Sequence, residues 1–134
     1  MEYRKSYKGL VIWMLAFLAL TFAPALLPET DPALLLRLVL LLTMLAVLGL
    51  MAIIWRTERV YWINGVTFEQ ARDAGSARRR AFAMAHLKPF AVVALGYAAF
   101  TMVMHLCGVH FWIDIAVFCI ALTGAAFSTI KIKL

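Results

Sequence analysis

The sequence predicts an all-α integral membrane protein: four transmembrane helices form an antiparallel bundle, and an amphipathic interfacial helix lies between helices 2 and 3. Of the 134 residues, 65% are hydrophobic and 15% charged, whereas soluble domains have roughly 45–50% apolar and about 25% charged residues. Four apolar stretches approach the roughly 20 residues that a spanning helix needs. Nearly all basic residues lie outside these stretches. This composition argues against a soluble enzyme, a disordered tail or a disulfide-based scaffold.

The first predicted span is Gly9–Leu27, which contains no charged residue. It is longer than the apolar core of a signal peptide, and Pro28-Glu29-Thr30 lacks small-residue cleavage chemistry. We therefore interpret it as a membrane span. The connector 27–32 holds two prolines and two acids, so Asp31 is expected to cap the next helix, with Pro32 at its first position.

The second predicted span is Ala33–Trp55, and Arg37 is its only charged residue. The polar region Arg56–Lys88 follows. Asn64-Gly65 is typical of a turn.

Within this loop, Thr67 and Gln70 have the spacing of a capping box, which predicts a helix beginning at Thr67. Gly75-Ser76 is expected to interrupt that helix, and Ser76 can cap a second piece. The stretch Ser76–Lys88 combines basic with apolar side chains, as in a helix that lies on an anionic lipid surface.

Pro89 is predicted to open the third span, Pro89–Leu106, and the fourth is Phe111–Ile130, with a very short turn between them. Residues 1–134 thus form a single four-span membrane domain.

Charge placement predicts the orientation. All but one of the 13 Lys and Arg residues lie in the N-terminal segment, the central loop or the C-terminal segment, and Arg37 is the exception. Since short cytoplasmic loops carry the excess of basic residues, both termini are predicted to be cytoplasmic, in a plasma or inner membrane. Net charge is +6, but its distribution indicates membrane orientation rather than a nucleic-acid partner.

Four polar side chains near the outer ends of the spans form a candidate substrate- or ion-binding group: Arg37, His105, His110 and Asp114. An ionisable residue within a span is by default a functional candidate. Two structural alternatives remain open: Arg37 can snorkel to the headgroups, or it can pair with Glu29, Asp31 or Asp114. Cys107 adds a ligand type, but the spacing matches no metal motif, so no metal or cofactor is predicted.

Basic residues of the central loop are candidates for binding the headgroups of anionic lipids: Arg78, Arg79, Arg80 and Lys88. Gly96 with Ala98 and Ala99, and Gly124 with Ser128, are small residues that permit close helix approach, within the bundle or between copies.

No GxSxG, HExxH, P-loop or Rossmann pattern occurs in the sequence, so catalytic residues are not predicted. The leading hypothesis is a small non-catalytic membrane protein that acts through helix–helix binding, as a partner subunit, an immunity-type protein or a homo-oligomeric scaffold. The alternatives are an ion- or proton-coupled transporter or channel that uses the outer polar group, and a lipid-modifying or redox enzyme.

Overall fold

The computed structural model describes residues 3–26, 31–63 and 65–134, and this part of the chain is helical without a strand. The predicted connector residues 27–30, with Glu29, and Asn64 of the predicted turn lie outside the described residues. The helices are α1 (Lys8–Phe22), continued by a 3-10 turn (Ala23–Leu26), α2 (Pro32–Thr57), α3 (Phe68–Asp73), α4 (Gly75–Leu106) and α5 (Trp112–Thr129), with a 3-10 turn at Val60–Trp62.

Four helical segments are long and apolar enough to cross a membrane: Lys8–Leu26, Pro32–Thr57, Gly75–Leu106 and Trp112–Thr129. Each overlaps one of the predicted spans. The prediction of an all-helical chain with four helices long and apolar enough to span a membrane is therefore confirmed.

Two helix starts form as their sequence signals indicate. The Asp31 carboxylate accepts a hydrogen bond from the Leu34 backbone N–H at 2.9 Å, and Pro32 is the first residue of α2. At α3, the Thr67 hydroxyl accepts from the Gln70 N–H while the Gln70 side chain accepts from the Thr67 N–H. Both ends thus satisfy N–H groups that have no partner inside the helix.

The third long helix differs from the predicted one. It begins at Gly75 and continues through Pro89, so the predicted basic helix Ser76–Lys88 and the third span are a single helix. Pro89 lacks an N–H, but spanning helices tolerate proline when neighbouring groups satisfy the freed carbonyl. The break comes instead before Gly75, whose φ of +77° belongs to the left-handed region. A helix of 32 residues is about 48 Å long, longer than the roughly 30 Å hydrocarbon core.

The interior lies between α2, α4 and α5. Met44 of α2 packs with Ala94 and Tyr97 of α4, surrounded by half-buried Leu, Val and Phe side chains. A second apolar cluster includes Ile54, Val60, Tyr61 and Phe82. By contrast, α1 contacts α2 and every one of its residues is exposed or half-buried. The packed body of the protein is therefore formed by three of the four long helices.

Candidate functional site

A buried ion pair joins α2 to α5. The Arg37 Nε lies 3.0 Å from the Asp114 Oδ2, across 77 residues of sequence. Arg37 is 6% exposed and Asp114 is completely buried. Of the two considered partners that the structure describes, Asp31 and Asp114, it is Asp114 that lies against Arg37.

Arg37 and Asp114 also make hydrogen bonds to other residues. The Thr101 hydroxyl of α4 donates to Asp114 Oδ1 at 2.7 Å, so both carboxylate oxygens accept a hydrogen bond. A terminal nitrogen of Arg37 donates to the Val109 carbonyl in the turn between α4 and α5. We call these four residues, together with His105 of α4, the Arg37–Asp114 cluster: Arg37, Thr101, His105, Val109 and Asp114. It ties three long helices and a turn together.

His105 links this cluster to the surface. Its Nδ1 lies 3.2 Å from an Arg37 terminal nitrogen, and the residue is exposed. A guanidinium can only donate, so Nδ1 must accept and the ring must carry its proton on Nε2. His110 lies apart from these hydrogen bonds: it is exposed, and its ring centroid is 4.7 Å from that of Phe111. Three of the four predicted site residues are thus brought together.

Sequence reasoning missed Thr101 and the Val109 carbonyl. Thr101 is a polar side chain in an otherwise apolar stretch, which is the signal that could have indicated it. Tyr97 is one helical turn away and 2% exposed, and its hydroxyl lacks a well-formed hydrogen bond among the described residues. A backbone carbonyl gives no sequence signal at all.

A second charged group surrounds Glu58, the residue after α2, which adopts a left-handed φ of 58°. Its carboxylate accepts from the Ser76 hydroxyl at 2.6 Å, from Arg79 at 2.8 Å and from Arg80 at 2.7 Å. Its backbone carbonyl accepts from the Tyr3 hydroxyl at 2.7 Å. We call these five residues the Glu58 cluster; it joins the N-terminal segment, the end of α2 and the start of α4.

Electrostatics within the Glu58 cluster favour the charged carboxylate. Burial works to raise the pKa of Glu58, but hydrogen bonds from Ser76, Arg80 and Arg79 outweigh it and lower the pKa below the ordinary value of 4.5. For Tyr3, burial raises the pKa to about 12, although the charge of Arg79 opposes the shift. The Tyr3 hydroxyl therefore keeps its proton and remains a donor at neutral pH.

The four predicted headgroup-binding residues have different environments. Arg79 is 8% exposed, and it also donates to the Ala71 carbonyl at 3.1 Å and lies over the Tyr3 ring. Arg78, Arg80 and Lys88 are exposed, although Arg80 also pairs with Glu58. Arg79 thus has its donors engaged inside the protein, while the other three have side chains that solvent or lipid can reach.

Among residues 3–26, 31–63 and 65–134, no three His, Cys, Asp or Glu side chains are grouped so as to hold a metal ion. The two cysteines, Cys107 and Cys119, are free and exposed. Comparisons with protein-family models, with curated proteins and with solved structures gave no match to this chain.

Proposed function

We propose that this chain is a non-catalytic membrane protein that acts by helix–helix binding, and that its partner is a second copy of itself. One observation carries the proposal: α4 has an exposed apolar stripe, here called the seam, with small residues at its centre. The seam follows helical spacing through Val92, Leu95, Gly96, Ala99 and Val103. A Cβ built on Gly96 would meet no atom within 4 Å.

Small residues distinguish this seam from an ordinary lipid-facing surface. The exposed face of α1 carries large side chains such as Ile12, Leu15 and Leu18, which suit contact with acyl chains. Gly96 and Ala99 instead allow the backbone of another helix to approach closely, and such packing drives association of helices in lipid. A twofold dimer requires a patch that faces its own copy, and a seam centred on Gly96 meets that requirement.

The Arg37–Asp114 cluster supports binding rather than chemistry. Its charges face each other and both oxygens of the carboxylate are hydrogen-bonded, so the cluster serves to hold α2, α4 and α5 together. A rigid body of three helices is a suitable scaffold for presenting the seam.

The orientation proposed with this function follows the positive-inside rule. Both termini and the segment between α2 and α4 lie in the cytoplasm, the four long helices cross a plasma or inner membrane as an antiparallel bundle, and α3 with the first turns of α4 lies among the headgroups. The Arg37–Asp114 cluster then lies near the outer surface.

The test is the oligomeric state of the full chain in liposomes, measured by single-molecule photobleaching over a range of protein-to-lipid ratios. Wild type should form dimers, and Gly96→Leu should shift dissociation to at least tenfold higher protein density. Gly124→Leu is the matched control on α5, since its position is also exposed and open around Cβ. A monomeric wild type, or equal effects of the two substitutions, would contradict the proposal.

A transporter or channel is the second candidate, because a line of polar groups runs from exposed His105 through Arg37 and Asp114 to Thr101. It requires proton or ion flux in proteoliposomes. Such flux should be lost in His105→Ala while His110→Ala retains it, and circular dichroism checks that the helices of both variants are intact. Liposomes with wild-type protein that are no more permeable than empty ones would exclude this candidate.

A further inference from the structure

A cavity of about 990 Å³ opens where α3, α4, α5 and the C-terminal segment meet. Its polar lining includes Gln70, Arg78, His86 and Lys133. Apolar residues of α4, of α5 and of the position after α5 complete the lining, among them Phe82, Ala126 and Ile130. The cavity therefore combines positive charge with an apolar wall between two long helices.

The charge in the cavity is available to a ligand. Arg78 donates to the Leu134 carbonyl at 2.8 Å, which uses one of the five N–H donors of a guanidinium. Lys133 is exposed. Asp73 also lines the cavity, but its carboxylate lies 2.9 Å from the Nε of Arg72, which offsets its charge.

His86 adds an oriented polar group. It is 5% exposed, and its Nδ1 lies 3.0 Å from the Phe82 carbonyl. Since a carbonyl only accepts, Nδ1 must carry a proton, and this hydrogen bond fixes the ring at the cavity wall.

A second cavity, of about 370 Å³, adjoins the first on α5. Ala126 and Ile130 line both cavities, and Leu122, Thr123 and Phe127 complete the lining of the second. From Ile130 to Leu122 this groove follows about 12 Å of helix. A basic compartment thus lies next to a smaller, largely apolar one.

We propose that these two cavities form one binding site for an anionic phospholipid, whose phosphate lies near Arg78 and Lys133 and whose acyl chain follows the groove on α5. Phosphate oxygens accept hydrogen bonds from guanidinium and ammonium groups, and the apolar groove suits a hydrocarbon chain. A soluble phosphate would use the basic compartment alone. This site is separate from the seam on α4 and does not depend on the protein being a dimer.

The experiment is a lipid titration of the full chain in a non-ionic detergent, followed by native mass spectrometry. Phosphatidylglycerol is the anionic probe, phosphatidylcholine the zwitterionic one, and glycerol phosphate the headgroup without chains. We expect one phosphatidylglycerol to remain bound, at least tenfold more tightly than either of the other probes.

Lys133→Gln and Arg78→Gln should each weaken phosphatidylglycerol binding at least tenfold, since each removes charge-assisted hydrogen bonds. Lys131→Gln is the matched control, because Lys131 is an exposed lysine of the same segment that does not line the cavity. Attraction to surface charge alone would give losses of about fivefold for both lysines. Equal losses for the two lysines would overturn the site.

The groove is tested by Ala126→Trp, which places a large ring where the two cavities meet. We expect it to abolish retention of phosphatidylglycerol while Ala116→Trp, on an exposed part of α5 that lines neither cavity, leaves it unchanged. Circular dichroism checks that the helices are intact. Glycerol phosphate binding as tightly as the lipid, or phosphatidylcholine matching phosphatidylglycerol, would refute an anionic lipid as the occupant.

Discussion

The buried Asp114 carboxylate is stabilised inside the bundle because each of its two oxygens accepts a hydrogen bond. Removing a carboxylate from water costs several kcal/mol, and the Arg37 guanidinium and the Thr101 hydroxyl replace the lost hydration. Arg37 is satisfied in turn by Asp114, His105 and the Val109 carbonyl. The cluster is therefore stable as a unit, and the loss of one member leaves the others unpaired.

Removal of both charges of this pair should destabilise the fold by less than the sum of the two single removals. Breaking a buried pair costs about 3–5 kcal/mol, so Asp114→Asn and Arg37→Gln should each lower the free energy of unfolding by about 3 kcal/mol or more. The double variant should lose less than the sum of the two. Unfolding in mixed micelles, followed by circular dichroism, measures all four proteins. Additive losses would mean that the two side chains contribute independently.

Glu58 should make the free energy of unfolding depend on pH in the acid range. Burial opposes ionisation, but hydrogen bonds from Ser76, Arg80 and Arg79 lower the pKa of the folded state below 4.5. Because its pKa is lower in the folded than in the unfolded chain, ionised Glu58 stabilises the fold at pH values above the unfolded-state pKa of about 4.5. This stabilisation is lost as the pH falls from there through the folded-state pKa. Glu58→Gln should therefore be less stable at pH 7 and should show a flatter decline below pH 4.5.

The control for Glu58 is Glu69→Gln, since Glu69 is exposed on α3 and is not a member of the Glu58 cluster. It should follow the acid decline of the parent chain. Melting temperatures between pH 3 and pH 7 provide the comparison. An unchanged slope in Glu58→Gln would show that other carboxylates cause the decline.

The helices differ in how well their ends could be predicted. Asp31-Pro32 and Thr67 with Gln70 act through contacts within four residues, so local sequence contains the whole signal. Pro89 is ambiguous, because proline is favoured in a first turn and is also tolerated inside a spanning helix. Surrounding helices decide between these outcomes, and no local pattern reports on them.

Gly75 sets the boundary between α3 and α4, and its replacement should be costly. Its φ of +77° is one that side chains with a Cβ rarely adopt, so Gly75→Ala should destabilise the protein by about 1 kcal/mol. Gly49→Ala is the matched control, because Gly49 lies within α2 and a Cβ there meets nothing within 4 Å. That variant should be as stable as the parent or more stable. Chemical denaturation of both reports the difference, and equal stability of the two variants would argue against a strained Gly75.

Across the whole molecule, the hydropathy of the sequence predicted the long helices better than its polar residues predicted the contacts between them. Four long apolar stretches were sufficient to predict four candidate spans, because the length of a spanning helix can be read from its own run of apolar residues. The Arg37–Asp114 pair was one of several pairings that the sequence left open, since residues 77 apart meet only after three helices have packed. The Glu58 cluster was not predicted, because it joins segments that are far apart in the sequence. The Glu58 carboxylate accepts hydrogen bonds from α4, and its backbone carbonyl accepts one from Tyr3.

The asymmetry of charge leads to a test of orientation. The turn between α4 and α5 has no Lys or Arg, whereas Lys131 and Lys133 follow α5, so the positive-inside rule predicts that the turn is outside and the C-terminal segment is in the cytoplasm. Cys107 lies at this turn and is exposed.

In a Cys119→Ala background, a membrane-impermeant maleimide should label Cys107 in intact cells. Lys131→Cys, in a chain with both native cysteines replaced by alanine, should react only after the membrane is permeabilised. The reverse pattern would invert the protein and place the Arg37–Asp114 cluster on the cytoplasmic side; labelling of both positions in intact cells would mean that α5 does not cross the membrane.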